Sequence, residues 1–577
     1  VTDPVSLYGT SQKPAVSERL VYGDVAVTLQ EGALRHLTFR GTEIMRSVAF
    51  LARDRDWGTI APGIGAIFRE RDEALRIAIP MTFRSGDARL DVTVRVSLAA
   101  GRLIVQAEGR AAGTFETNRA GFTVLHPIEG VAGAPARATH ADGSVEEGRF
   151  PALIEPWQPF MDIAALEHRA NGFAVRTAFC GDVFEMEDQR QWGDASFKTY
   201  NRPLALPWPY RIADGETLSQ SVEITWKADA ATVLPAAANP SQPARFPETA
   251  LVLTAGDALR LAANREDFDI VGPQRLLCHI DAAAEPAGPQ IAAFAALQAV
   301  LPHPAYDLEL ICRFDGDDSP ADELAAHAAA MKTAGLVPAS VFVCPSVDRQ
   351  STPPGSQWPP CPPLEEIHGA AARAFPDISR GGGMASFFPE LNRKRPPLDH
   401  LDFVTHGLCP IVHAADDISV LETLEAIPHI ARSAKAIVKD RAYRIGPATI
   451  AMRQNPYGAR TIPNPGGGRV CMADFDPRHF AAFGAAYALG LATALAPFDV
   501  AVWTPSALYG PRGLFCDDGT PSPLAWVLEA LAGCAGKAVF GARIEGGLAR
   551  LALEDGHEFT ANLTDGTVDG LQPFDWR

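Results

Sequence analysis

The sequence predicts a multidomain α/β plus β protein: an N-terminal β-sandwich, a central (β/α)8 TIM-like barrel and a small C-terminal β domain. Three observations carry this reading. Apolar and polar residues alternate from Glu18 to about Lys227. Beyond that point, short apolar runs each lead into a helical stretch or a long loop, about eight times over roughly 250 residues, the arithmetic of a barrel. After a helix near 522–535 the chain returns to short strands with Gly and Asp turns. The domains are placed at 1–228, 248–520 and 521–577. At 577 residues, 47% hydrophobic and 21% charged, the composition is that of a folded chain with a large core.

In the first region Leu90, Val92, Val94, Val96 and Leu98 recur at every second residue, and Leu103, Val105 and Ala107 continue after the turn at 99–101. Period two marks half-buried antiparallel strands, and no amphipathic helix interrupts them. Residues 228–247, with Pro235, Pro240, Pro243 and Pro247 among alanines, read as a linker. The eight barrel strands are expected at 275–281, 306–314, 340–346, 382–388, 402–408, 448–452, 470–475 and 500–504. Helices are expected near 291–301, 320–334, 418–438 and 479–496. A doubly wound sheet is disfavoured because ICRFDGDD offers no Gly-rich nucleotide turn. The Pro-rich run 352–363 reads as a stiff, ordered βα loop rather than a partner ligand.

Charge and composition narrow the function. A net charge of −18 repels phosphate backbones and anionic lipid, so neither nucleic acid nor membrane is an expected partner. Nine cysteines, none spaced CxxC, argue against a zinc site and a disulfide framework and fit a reducing cytoplasm. Val1 to Val16 holds no apolar core of a signal peptide, and a cytoplasmic location is expected. The apolar stretch from Phe480 to Val502 is rich in Ala and Gly, meets Pro497 and Asp499, and reads as a buried helix and strand. No GxSxG elbow occurs, which disfavours an α/β serine hydrolase. The expected partner is a small carbohydrate, with no cofactor and no metal; self-association is left open.

Three segments concentrate the polar chemistry. FEMEDQRQWGDASFKTY (184–200) interleaves Glu185, Glu187, Asp188 and Asp194 with Arg190, Lys198, Trp192 and Tyr200. Paired charges beside flat rings suit a polyhydroxylated ligand; a solvated edge strand is the bland alternative. SFFPELNRKRP (386–396) follows what is counted as the fourth barrel strand, where βα loops build active sites. There Glu390 suits a general acid or base, Asn392 a hydroxyl contact and Arg393 a carbonyl or carboxylate. CPIVHAADD (409–417) places His413 near Asp416 and Asp417, a base with a carboxylate orienter, although Asp417 also suits a helix cap. Glu425 and His429 are four apart but separated by Pro428 and are discounted. Asn118, Arg119, His126, His140 and Asp142 are strand-end or turn positions of lesser weight, from which the barrel mouth could be reached.

These segments, GGGMASFFPELNRKRPP, PIVHAADDISVLETLE and the 184–200 stretch, with NRAGFTVLHPIEG upstream, resemble the D-apionate lactonases of bacterial branched-pentose catabolism. The resemblance runs from about Val21 to the end of the barrel. It implies an N-terminal β domain, a TIM-barrel middle and a C-terminal β domain, and an enzyme that opens D-apionolactone to D-apionate. One departure is visible: an aromatic-Glu-Thr run is expected before the Gly-x-Arg-Gly, and this chain has WTPSALYGPRG (503–513) with no carboxylate.

The expected activity is therefore a lactonase working by carboxylate-assisted attack of water. Glu390, His413 and Glu187 are assigned the catalytic roles: Glu390 as base or acid, and His413 as its proton-transfer partner. Glu185, Asp188, Arg190, Lys198, Tyr200, Asn392, Arg393 and Asp416 are assigned to substrate binding, with Arg393 or Lys198 facing the oxyanion. The alternatives are a glycoside hydrolase with Glu390 as acid/base, which requires a second carboxyl about 5–9.5 Å away, and a carbohydrate-binding protein without turnover.

Overall fold

A computed structural model describes residues 3–229, 244–314, 319–458 and 460–577. Most of the expected linker (230–243) lies outside the described residues. The N-terminal region from Ser17 to Ala228 is a 17-stranded antiparallel sheet folded over a single hydrophobic core. Its alternation is physical. In Ala88–Ala99 the five apolar residues at every second position are at most 3% exposed, and the polar ones between them face away. Tight two-residue turns fix the register, with Ser85 opposite Ala88 and Ala99 opposite Arg102. Gly86 (φ +59°) and Gly101 (φ +74°) supply the left-handed backbone such hairpins need.

The second domain is a closed barrel of eight parallel strands: Glu248–Leu253, Arg275–Asp281, Ala305–Cys312, Ser340–Pro345, Ser379–Phe387, Phe403–Leu408, Ala442–Ala448 and Val502–Ala507. The expected strand set needs three corrections. The first strand, Glu248–Leu253, is absent from the expected set, because its short run directly follows the proline-rich segment and looks like linker. The run 470–475 is not a strand: it forms a loop whose Met472 amide bonds to Ile411, with one bridge from Ala473 to Ile462. The seventh strand also lies earlier than expected, at Ala442–Ala448, so Thr449–Met452 belongs to the loop beyond its end. Consequently the strand before Glu390 is the fifth and the one before His413 the sixth.

Helices Ala287–Val300, Pro320–Ala334, Asp417–Val438 and Ala482–Leu495 fall where the periodicity places them. Ala482–Leu495 is buried along its length, which explains a stretch as apolar as a membrane span. No helix among the described residues is long and apolar enough to cross a membrane. Helix Pro523–Ala532 follows the eighth strand and packs on Ala482–Leu495, so the barrel continues past the expected boundary at 520. The C-terminal sheet is Val539–Glu545, Leu548–Leu553 and Glu558–Asn562.

Sandwich and barrel are joined along helix Asp417–Val438. Arg35, from the sandwich, donates to Asp416 (2.8 Å) and Glu422 (3.0 Å). Arg46 bridges Glu43 and Glu425, both at 2.8 Å. Farther along, Ser433 accepts the Ile154 amide (2.9 Å), and Asn392 donates to the Ile154 carbonyl (3.0 Å). These contacts hold the sandwich over the barrel rim.

The triple glycine at 381–383 is a barrel device and not a phosphate loop. A Cβ on Gly381 would lie 2.2 Å from the Phe403 ring, and one on Gly383 (φ +112°) would lie 2.1 Å from the Thr405 carbonyl oxygen. Both the backbone angle and the neighbouring strand exclude a side chain there. Gly383→Ala is expected to lower unfolding free energy by about 2–3 kcal/mol in urea titration; an unchanged midpoint would mean that the strand relaxes freely.

Candidate active site

A cavity of about 460 Å³ opens where the sandwich meets the barrel rim. Strands Phe184–Glu187 and Phe197–Asn201 form its sandwich wall. They pair antiparallel, with Glu185 opposite Tyr200 and Glu187 opposite Lys198. Because alternate residues share a face, Glu185 and Glu187 point to the cavity together with Lys198 and Tyr200. The barrel wall comes from βα loops: Ser351 and the Pro353–Ser356 stretch of the Pro-rich loop after the fourth strand, Arg393 after the fifth, and His413 after the sixth.

Glu187 and Lys198 form a tight pair, Nζ to Oε2 2.5 Å, and the Trp192 indole nitrogen donates to Glu187 Oε1 at 3.0 Å. Burial alone would raise the Glu187 pKa, but Lys198, His413 and Arg393 outweigh it and hold the carboxyl down at about 2. The side chain is thus an anion throughout the neutral range. Burial pushes the Lys198 ammonium down, with Glu187 opposing and Arg119 assisting. Glu185 accepts from the Tyr200 hydroxyl (2.6 Å) and the Leu204 amide (2.9 Å).

His413 Nδ1 lies 2.7 Å from Asp194 Oδ2, and its ring meets Trp192 edge-on at 5.9 Å. An ionised carboxylate only accepts, so Nδ1 is the donor, and in the neutral ring the lone pair is then on Nε2. The orienting carboxylate of His413 is therefore Asp194, from the sandwich. Asp416 instead caps helix Asp417–Val438 through the Ser419 amide (3.0 Å) and binds Arg35, while Asp417 binds Arg469 and Arg478.

Other expected site residues lie behind the cavity. Asp188 and Arg190, both fully buried, form a bidentate pair at 2.7 and 2.8 Å. Arg190 also donates to the Pro151 carbonyl (2.8 Å) and to His429 Nδ1 (2.9 Å). Asn392 is spent on Ile154, and its oxygen takes Arg395 at 3.1 Å. Glu390 is 3% exposed and is not among the lining residues. Its Oε1 receives Ser351 (2.6 Å), the Thr352 amide (3.2 Å) and Arg393 (3.2 Å), while Oε2 is buried without a partner. Burial raises its pKa against the pull of Arg393. Glu390 thus touches the two groups, Ser351 and Arg393, that face the cavity, and stands one layer back.

Sequence reasoning gave Arg119 little weight and missed Arg53, Trp57, Trp208, Ser351 and Tyr457, all of which line the cavity. They come one or two at a time from separate strand ends and loops, with no local pattern to mark them. Only the Pro-rich run, an ordered loop at the barrel mouth, offered a signal. Among the described residues, one cluster has metal-ligand proximity: Cys312, Glu323 and His327, whose donor atoms lie within 4.8 Å of one another. Glu323 there already accepts the Arg313 and Phe314 amides (2.8 and 2.9 Å), and the cluster does not line the cavity.

This arrangement can be set beside known proteins. The family model of the D-apionate lactonase N-terminal domain matches residues 5–229, and that of the D-apionate lactonase TIM barrel domain matches residues 249–536. The chain belongs to the D-apionate lactonase family. A relative from Brucella anthropi, described as D-apionate lactonase, is 43% identical over 557 residues, covering 93% of this chain and 90% of its own. Two solved structures that it resembles are far more distant. A GH30 endoxylanase from Clostridium papyrosolvens has a TM-score of 0.34 at 10% identity, covering 56% of this chain and 82% of its own. A GH36 alpha-galactosidase from Geobacillus stearothermophilus has a TM-score of 0.28 at 10% identity, covering 95% and 91%. Likenesses so weak carry no argument about this site. Family membership matches the division into sandwich and barrel, and the seam between the two family domains is where the cavity lies.

The Glu187 pairing makes a pH prediction. Its folded pKa, about 2, lies below the ordinary carboxylate value of about 4.3. Its stabilisation is therefore complete above about pH 4.3 and lost as pH falls toward 2. Glu187→Gln is expected to be less stable than wild type by about 1–3 kcal/mol at pH 7. Urea titrations at pH 7, 4 and 2.5 should show that gap closing only below about pH 4; a constant gap would refute the ion-pair account.

Proposed function

We propose that this chain hydrolyses a sugar-derived lactone, of the D-apionolactone kind, to the open aldonate, with His413 as the general base. Family membership supports the lactone-hydrolase class, and the Brucella anthropi relative supports the substrate type. The observation that carries the mechanism is the His413–Asp194 pair on a cavity whose opposite wall holds Lys198 and Glu187.

In this reading His413 Nε2 takes a proton from water as the water oxygen adds to the lactone carbonyl carbon. The carbonyl π electrons move to oxygen, and the oxyanion is stabilised by Lys198 and Arg393. As the tetrahedral intermediate collapses, the bond to the ring oxygen breaks and the imidazolium returns its proton to that oxygen, which leaves as a hydroxyl. The new carboxylic acid then ionises, releasing one proton to solvent. Asp194 holds the imidazole tautomer and offsets its transient charge, as the carboxylate of a hydrolytic triad does. Glu187, ionised throughout the neutral range, orients the Lys198 ammonium. Glu390 positions Arg393 and Ser351 from behind.

A glycosidase fits less well. It needs one carboxyl kept protonated beside the leaving oxygen. Among the described residues the lining carboxylates are Glu185 and Glu187: the first is occupied by Tyr200 and Leu204, and the second is held near 2.

Proton release from the lactone of D-apionate, followed with a pH indicator, tests the assignment. His413→Ala is expected to lower kcat by about 10²–10⁴ with the fold intact, and Asp194→Asn by a smaller factor. Full turnover by His413→Ala would remove the histidine from the mechanism. Turnover of aryl glycosides with none of the lactone would favour the glycosidase instead.

A further inference from the structure

Buried guanidiniums in this chain are generally matched to carboxylates. Arg190 has Asp188, Arg478 has Asp476 and Asp417, and Arg46 has Glu43 and Glu425. Arg119 is the contrast. It opens strand Arg119–His126, is 6% exposed and lines the cavity. Its Nε is buried without an acceptor, and among the described residues no carboxylate oxygen comes within ion-pair distance of it. Its guanidinium lies over the Tyr200 ring at 4.0 Å and near the Trp57 ring at 5.3 Å. Glu185 and Glu187 act on it only through longer-range fields, because Tyr200, Leu204 and Lys198 already hold them.

A second guanidinium on the same cavity is in a similar state. Arg53 donates to the Trp57 carbonyl (3.3 Å) and to the Thr59 hydroxyl, with no carboxylate partner among the described residues. Burial and Arg119 both work against its charge, as burial works against that of Arg119. Arginine nonetheless stays protonated in proteins. Two desolvated cations facing one hollow without a directly paired carboxylate are costly unless an anion joins them. Their planar forks match a carboxylate. Trp57 and Trp208, packed edge to face at 5.2 Å, line the same end and offer an apolar surface to a sugar's C–H face.

We infer that Arg119, with Arg53, forms a carboxylate subsite that holds the open sugar acid, so that the cavity binds the anionic aldonate more tightly than an uncharged sugar of the same skeleton. This rests on the lactonase reading for the identity of the sugar acid. A lactone is neutral, and its hydrolysis product carries the carboxylate these guanidiniums lack. The chain is thereby expected to be inhibited by its product.

Isothermal titration of the full chain with sodium D-apionate and with the neutral polyol of the same carbon skeleton tests this. Wild type should bind D-apionate at least about 30-fold more tightly than the polyol. Arg119→Gln should lose at least about 30-fold in D-apionate affinity while changing polyol affinity less than about threefold, and Arg119→Lys should recover part of the loss. Equal binding of acid and polyol by wild type, no binding of D-apionate by wild type, or D-apionate affinity within about threefold in Arg119→Gln would each overturn the subsite. Thermal melting checks the fold of each variant. If Arg119→Gln does not fold, competitive inhibition of the wild type decides, with equal inhibition constants for acid and polyol overturning the inference. Lactone turnover is read separately. Selective D-apionate binding without lactone turnover would sink the proposed function and leave the subsite standing, and turnover without charge selectivity would do the reverse.

Discussion

The site depends on one buried cation. The Arg190 guanidinium, with no solvent exposure, is held by both oxygens of Asp188 and lies 4.3 Å from the Phe197 ring. Its other nitrogens reach the Pro151 carbonyl and His429 on helix Asp417–Val438. It therefore ties three pieces together: the strand end carrying Glu187, the 151–156 segment that also receives Asn392 and Arg393, and a barrel helix. Charge burial of this kind is expensive and becomes tolerable only when every donor finds an acceptor. That requirement fixes the geometry. With Asp188 and Arg190 locked below, the neighbouring residues on the opposite faces, Glu187 and Trp192, are left to project into the cavity.

This explains what was legible in the sequence and what was not. Period two in the sandwich and the strand-helix rhythm of the barrel are set by local burial, so they can be read from local pattern. The first barrel strand hid behind prolines, and Val470–Phe475 imitated a strand because its apolar residues pack inward without pairing into the sheet. At the site, the 184–200 stretch was conspicuous because functional and structural charges are interleaved there. Spacing alone could not sort them. Glu187 and Asp188 differ by one residue and so face opposite ways: one meets the cavity and the other meets Arg190. His413 could be singled out, but not its partner, since Asp194 lies 219 residues earlier. Glu390 drew notice through its place after a barrel strand, yet the short helix Phe388–Arg393 turns it inward toward Ser351 and Arg393.

Electrostatics acts on two length scales here, with opposite signs. The whole chain carries −18, whereas the cavity lining brings Arg53, Arg119, Lys198 and Arg393 against Glu185 and Glu187. Outside, the field is screened within about 8–10 Å in physiological salt and weakly disfavours any approaching anion. Inside, away from water, the cations act almost unscreened. A neutral lactone crosses the outer field without cost and gains little from the inner cations until negative charge develops on its carbonyl oxygen. The interaction then grows along the reaction coordinate, which is the condition for catalysis rather than for mere binding. The same cations are also attractive to the finished carboxylate, so speeding the chemical step and releasing its product make opposing demands on one set of side chains.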